Sequence, residues 1–291
     1  MIVVSAVCKS PDPSKNQPML SQRVKAAVIF TPLVLILIYL GGWVFNLFIA
    51  AALLLAAFEF TRLFDRMGYQ PALLVVLAGI LAIFIHRWIF GLEHLDILIS
   101  VTITLVVAAG LAQYESGFRE AGISLAINLG IMFYLGWIGS FFISLRAHPD
   151  GLGWILTALP ATWLADMGAY FIGRWLGRRK LAPRLSPGKT LAGLAGAVVA
   201  GTLSGILLIL LWRASGFLPD DTPLWQGAVM GLTLALLTPL GDLLVSLFKR
   251  SADVKDTGSI IPGHGGILDR IDTWIWAAML GYYLVVSFNT F

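Results

Sequence analysis

The sequence predicts an all-α, polytopic membrane fold of about nine transmembrane helices with a cytoplasmic N-terminus, and three observations carry this reading. Hydrophobic residues make up 58% of the chain, charged residues only 12%, and the mean hydropathy is +0.85. A soluble domain could not bury that much apolar surface. Apolar runs recur along the chain at roughly the 17–25 residues that a bilayer-spanning helix needs. Finally, the cationic residues gather on alternate connections between these runs, as expected of cytoplasmic loops.

The runs fall at roughly 24–40, 43–60, 71–90, 95–113, 122–145, 152–172, 191–212, 226–248 and 273–290. Pro32, Pro160 and Pro239 lie inside spans, where neighbouring helices and polar side chains can satisfy the freed carbonyls. No internal repeat is evident, which gives no support to an inverted-repeat transporter. With the N-terminus inside, every Lys and Arg of the 20 lies on the cytoplasmic side except Arg87, Arg146 and Arg213. One missed or added helix would scramble that division, so it supports nine spans and an external C-terminus. Residues 1–22 hold Lys9, Lys15 and three prolines without an apolar core, so they read as a flexible tail and not as a secretory signal. Residues 23–150 form an N-terminal transmembrane region and residues 151–291 a C-terminal one.

Composition also narrows the chemistry. The single cysteine, Cys8, excludes a disulfide framework and a cysteine-built metal site. The pI near 9.3 records topology and anionic lipid; no nucleic-acid partner is expected. His86, His94 and His148 fall on the outer face and are assigned no role.

The polar chemistry concentrates in two cytoplasmic loops, 173–190 and 249–272. The second belongs to the stretch SLFKRSADVKDTGSIIPGHGGILDRID, from Ser246 to Asp272, where lysines, arginines, aspartates and glycines crowd between long apolar runs. Cations and glycines there suit phosphate, and carboxylates suit a metal that carries it. Asp166 in span six and Asp242 in span eight lie in apolar helices. A carboxylate at the bilayer centre costs about 2.5–3.5 kcal/mol on insertion scales, so both should face the bundle interior or a wet cavity. Asp242 and Ser246 are four apart and share a helix face, and Asp269 and Asp272, three apart, share another. Helices eight and nine could therefore bring Asp242 and Asp269 together, an oxygen-ligand set that suits Mg²⁺. Glu59 could pair with Arg62 or line the cavity. The segment SPGKT at 186–190 looks like the end of a Walker loop, but no G-x-x-x-x-G-K-[ST] frame precedes it and no β-strand is expected there, which excludes a P-loop fold. Its glycine and lysine can still offer N–H groups and a cation to phosphate.

The run from Ser246 to Asp272 resembles, without a gap, the signature of the phosphatidate cytidylyltransferases, also called CDP-diacylglycerol synthases. WLADMGAYFIGRWLGRRKLAPRLSPGKT at 163–190 and GDLLVS at 241–246 are similar to two further blocks of that family. MLSQRVKAAVIFTPLVL, from Met19 onward, resembles a typical bacterial start. The chain departs from the family pattern at Met167, Leu191, Ala192 and Val245. The resemblance implies a Mg²⁺-dependent reaction of CTP with phosphatidic acid to give CDP-diacylglycerol and pyrophosphate, in the bacterial inner membrane with the site on its cytoplasmic face. It implies Asp242 and Asp269 as metal ligands, with a second, monovalent cation such as K⁺ compatible with the family. Candidate catalytic residues are then Asp166, Lys249, Lys255, Asp256, His264 and Asp269. Candidate substrate-binding residues are Ser186, Gly188, Lys189, Ser246, Arg250, Gly263, Gly265, Gly266 and Arg270. Expected partners are CTP, phosphatidic acid and membrane lipid, and a homodimer is compatible with the family. Two other readings stay open on the residues alone: a transporter for an organic anion and an inactive scaffold of the same fold. The first would spread its charges across the membrane depth.

Overall fold

A computed structural model describes residues 31–258 and 265–288. The proposed tail at 1–22, Gly263 and His264 lie outside the described residues. Among the described residues eight helices are long and apolar enough to cross a membrane, and Thr31–Leu40 (α1) is a ninth, shorter apolar helix that covers the described part of the first predicted span. The chain is thus an all-α polytopic membrane protein.

In the first region α1 is followed by α2 (Gly42–Arg66), α3 (Leu73–Phe90) and α4 (Leu95–Glu115). The fifth span is composite. It runs through α5 (Ala121–Ile131), a π-helical segment (Met132–Ile138) and α6 (Phe141–Ala147). The sharp break between α1 and α2 rests on Gly41 and Gly42, both at positive φ, which glycine adopts without steric penalty. Arg146 stabilises this corner. Its Nε donates to the Ile38 carbonyl at 2.9 Å and its Nη2 to that of Tyr39 at 3.4 Å, satisfying carbonyls that the end of a helix leaves orphaned.

Arg87 is almost wholly buried. Its guanidinium lies 4.0 Å from the Phe141 ring centre and 4.8 Å from that of Trp137, and Nη1 donates to Ser144 Oγ at 3.1 Å. Two of the three cations on the cation-poor side therefore serve internal bonds. This removes them from the topological balance and sharpens the charge asymmetry of the sequence.

The second region comprises α7 (Gly151–Leu176), α8 (Leu191–Ala214), α9 (Leu224–Leu237), α10 (Pro239–Ser251) and α11 (Leu268–Phe288). Spans six and seven pack tightly on α9 through small residues. A Cβ on Gly201 would lie 2.9 Å from Ala235 Cβ, and one on Gly231 would collide with the Gly201 carbonyl. Close backbone approach of this kind is how helices associate where surrounding lipid removes any hydrophobic drive. The eighth span breaks at Thr238–Pro239, because proline has no N–H to continue the ladder. Thr238 Oγ1 bonds the Leu234 carbonyl at 2.8 Å at the break. The main buried cluster gathers α2, the π-helical segment, α6, α7 and α11 around residues such as Phe45, Leu53, Leu135, Phe141, Ile155 and Ile275.

One expectation is overturned. Residues 186–190 do form a strand: β2 (Ser186–Thr190) pairs antiparallel with β1 (Lys180–Ala182), with Lys180 opposite Thr190 and Ala182 opposite Ser186. The run of charged and turn-forming residues hid it from periodicity. An open hairpin is compatible with a connection outside the hydrocarbon, where water can meet its free edges. The P-loop exclusion is unaffected, since the strand belongs to a two-stranded hairpin. Thr190 ends β2 and caps α8, its Oγ1 accepting from Gly193 N at 3.0 Å.

The tight α8–α9 seam yields a direct test. Gly231→Val should destabilise the folded protein by about 1–3 kcal/mol through overpacking, read as a lower unfolding temperature in detergent. An unchanged transition would show that the two helices part without penalty.

Candidate active site

A cavity of about 830 Å³ joins the two regions. One wall is apolar and comes from α1 and α2: Val34, Phe48, Ala51, Ala52 and Leu55. The other is charged and comes from α7, β2, α10 and α11: Asp166, Lys189, Asp242, Asp269, Arg270 and Asp272. Trp163 and Trp274 stand between them, ring centres 5.2 Å apart.

Local structure explains how each charge arrives there. Asp166 projects from α7 about three turns before that helix ends at Leu176. The hairpin register carries Lys189 back toward α10, where its Nζ lies 2.7 Å from Asp242 Oδ2 and 3.5 Å from the Pro239 carbonyl. Because the eighth span breaks at Pro239, Asp242 falls in the first turn of a new helix, where the helix dipole favours an anion. A side chain on Gly241 would collide with the Asp272 carbonyl, so glycine there is what lets α10 approach α11. Asp242 is near enough to both Asp166 and Asp272 for their charges to repel.

Asp269 has a different environment. Its Oδ1 meets Lys249 Nζ at 2.6 Å. Its Oδ2 accepts from Thr257 N at 2.8 Å, Thr257 Oγ1 at 3.0 Å and Gly266 N at 3.2 Å. Asp272 is buried, with Oδ1 accepting from Thr273 N at 2.7 Å, while its carbonyl accepts from Tyr134 Oη at 3.3 Å. Four carboxylates thus line one cavity with two cations, Lys189 and Arg270.

The structure brings Asp166, Lys189, Asp242, Asp269 and Arg270 together in this lining, with Lys249 beside them through its ion pair. Ser246 is buried on α10, one turn after Asp242. Arg250, Lys255 and Asp256 are exposed and do not line the cavity. Arg250 is turned toward the carbonyls of Leu185, at 3.5 Å, and Val254, at 3.4 Å, linking the two polar loops. Asp256 lies against Gly265, whose positive φ bends the chain beside Asp269. Ser186 is half-buried in β2, and Gly188 is exposed with open space around it. Around Gly266 the close neighbours are the protein's own Thr257 and Glu59. Asp272, which sequence reasoning placed on the Asp269 face but outside the site, lines the cavity. Glu59 does neither of the things expected of it. It binds backbone at the start of α11, and Arg62 lies over the Phe58 ring instead. No local sequence signal marks this contact, because its partners are about 200 positions away.

The donor set is of the chemical type that a hard divalent cation takes. All its candidate ligands are carboxylate oxygens, and two of them already hold a cationic group, a lysine Nζ, at 2.6–2.7 Å. Among the described residues no three His, Cys, Asp or Glu side chains form a ready-made cage. One or two carboxylates completed by phosphate and water is the usual Mg²⁺ arrangement.

A family model described as "Cytidylyltransferase family" matches residues 21–288. The chain belongs to the cytidylyltransferase family. It is 34% identical to a phosphatidate cytidylyltransferase of Synechocystis, over 91% of this chain and 96% of the relative. It is 32% identical to one of Bacillus subtilis, over 93% and 99%, and 31% identical to one of Mycobacterium leprae, over 94% and 90%. The similarity spans both transmembrane regions and therefore both walls of the cavity.

The Lys249–Asp269 pair can be tested directly. Both side chains are nearly buried, at 11% and 5% exposure, so removing one partner strands a charge. Lys249→Met should destabilise the protein toward the lower end of the about 3–5 kcal/mol seen for broken buried pairs, because Asp269 keeps three other donors. Thermal unfolding in detergent measures this, and a stability equal to wild type would mean that the pair contributes nothing to the fold.

Proposed function

We propose that this enzyme is a phosphatidate cytidylyltransferase that joins CTP to phosphatidic acid, releasing pyrophosphate and leaving CDP-diacylglycerol in the membrane. The observation that carries the reading is the amphipathic cavity, with an apolar wall from α1 and α2 facing a wall of carboxylates and cations. A lipid phosphate needs both at once. Family membership and the relatives' shared activity support the same conclusion and favour it over a transporter or an inactive scaffold.

In the reaction, an oxygen of the lipid phosphate attacks the α-phosphorus of CTP, and the bond to the β-phosphate bridging oxygen breaks. The attacking oxygen is already an anion, so no general base is needed. The protein's task is to hold two highly charged phosphates in line and to offset their repulsion. Lys189 and Arg270, on opposite elements lining the cavity, supply positive charge to phosphate oxygens. Val34, Phe48, Ala51 and Leu55 receive the acyl chains from the side. Asp242 and Asp269, with Asp166 and Asp272 nearby, would hold Mg²⁺, which when bound neutralises phosphate charge and favours the departure of pyrophosphate. Gly263 and His264 from the signature remain candidates for the nucleotide, and a monovalent cation is an accessory candidate. The positive-inside pattern orients the site toward the cytoplasmic face of a bacterial inner membrane. A homodimer is part of the proposal only by family likeness.

The decisive assay supplies phosphatidic acid and radiolabelled CTP to purified protein in lipid–detergent micelles with Mg²⁺. Label should enter the organic phase as CDP-diacylglycerol, and excess chelator should stop it. Asp242→Asn and Asp269→Asn should each abolish incorporation in folded protein, while Lys189→Ala should raise KM or lower kcat. Failure of the wild type to incorporate label would refute the function. A wild-type rate in either aspartate variant would remove that residue from the metal site.

A further inference from the structure

Glu59 lies on α2, in the N-terminal region, far in sequence from every charged residue of the cavity. Only 3% of it is exposed, and a buried carboxylate is retained only where its oxygens are matched by donors. Both are matched, entirely by the far end of the chain. Oε1 accepts from Ile267 N at 3.0 Å. Oε2 accepts from Leu268 N at 2.9 Å and lies 3.1 Å from Thr257 Oγ1.

Ile267 immediately precedes α11 and Leu268 opens it, so both amides are donors at the helix start without partners inside the helix. Such donors are usually satisfied by a capping side chain from the same strand of chain. Here one carboxylate from a different helix takes two of them. The next residues of α11 are Asp269, Arg270 and, one turn on, Asp272, all in the cavity. The Thr257 hydroxyl sits between Glu59 Oε2 and Asp269 Oδ2, at 3.1 and 3.0 Å. Its single proton serves one carboxylate at a time and so links the two. Side chains at Gly258 or Gly266 would collide with the Glu59 carboxylate, so the glycines on both flanks of the loop are spaces that Glu59 fills.

We infer that Glu59 is a positioning residue for the transfer reaction, fixing the start of α11 and through it the placement of Asp269 and Arg270 against the substrates. The inference rests on the proposed cytidylyl transfer only in its kinetic part. Its effect should fall mainly on kcat, because Lys189, on the hairpin, meets phosphate independently of α11, while alignment of the reacting phosphates depends on Asp269 and Arg270 at the start of α11.

The test compares wild type, Glu59→Gln and Glu59→Asp in the micelle assay, together with hydrogen exchange of a peptide covering residues 265–270. Glutamine replaces one acceptor oxygen with an NH₂ group that must face backbone donors. Glu59→Gln should lower kcat about 10- to 100-fold, the range typical of outer partners of catalytic ligands, with KM for CTP within about twofold. Exchange across 265–270 should accelerate. Glu59→Asp keeps both acceptors on a shorter arm and should recover part of kcat. A Glu59→Gln enzyme with wild-type kcat would overturn the inference, as would unchanged exchange. So would loss of folded protein in both variants, which would make Glu59 a requirement of the whole bundle and not of the site. If wild type itself transfers no cytidylyl group, the proposed function fails, and the exchange comparison still decides whether Glu59 holds the start of α11.

Discussion

Asp269 is a charge in a place that ordinarily rejects charge, at the mouth of an apolar helix bundle with 5% of its side chain exposed. It persists there because Lys249 and three hydrogen-bond donors surround it. Unpaired, a buried carboxylate would lose several kcal/mol of solvation without return. That constraint shapes the surrounding structure. Lys249 must come from α10, so α10 must run beside α11, and the donors come from residues 257 and 266, so both described ends of the connection between the two helices must reach Asp269. The break at Pro239 and the bare backbone of Gly241 let α10 take that path. Satisfying one carboxylate thereby assembles α10, α11 and their connection into a single unit.

The Lys189–Asp242 pair has a different character. Its two side chains are about 30% exposed, so water screens them and the pair adds little to stability. Lys189 also sits on a two-stranded hairpin, whereas Lys249 sits on a helix against the core. Of the two cations, Lys189 is the more readily exchanged for another positive group or turned toward phosphate. The cavity therefore combines a rigid anionic corner at Asp269 with a more open one at Asp242.

The helical architecture was legible in the sequence because it depends on hydropathy and loop charge, quantities that accumulate over some twenty residues. The eight long apolar helices fall where the apolar runs do. Asp166 and Asp242 were legible for a related reason: an aspartate in an apolar helix has few alternatives to a cavity. Asp269 was legible from the polar stretch at the start of the ninth span and from the family signature that it belongs to. The hairpin was not legible, since three paired residues leave no periodic trace and its strand is written in turn-forming residue types. The role of Glu59 was hidden more deeply. Near Arg62 it looks like an ordinary surface ion pair at helical spacing. Only the fold shows that α2 presents it to amides about 200 residues later. The same limit applies to Gly258 and Gly266, whose glycines suggest contact with phosphate when read alone and prove to make room for a carboxylate of the protein.

The two halves of the chain then divide the cavity by chemistry. The second half supplies nearly all the charge and the close small-residue packing of α7, α8 and α9. The first half supplies the apolar wall of α1 and α2. A wall made mostly of alkyl and aromatic side chains, with Thr31 as its polar member, can adjust its position, because dispersion contacts are non-directional. The charged wall cannot, because its hydrogen bonds fix angles as well as distances. On the proposed function, such a cavity would tolerate acyl chains of varied shape along one side while demanding one geometry of the phosphates on the other. Glu59 ties the two halves together: it is carried by α2 yet bonded to the start of α11. The relation between the lipid wall and the charged wall is therefore set by a single buried carboxylate as well as by the general packing of the bundle.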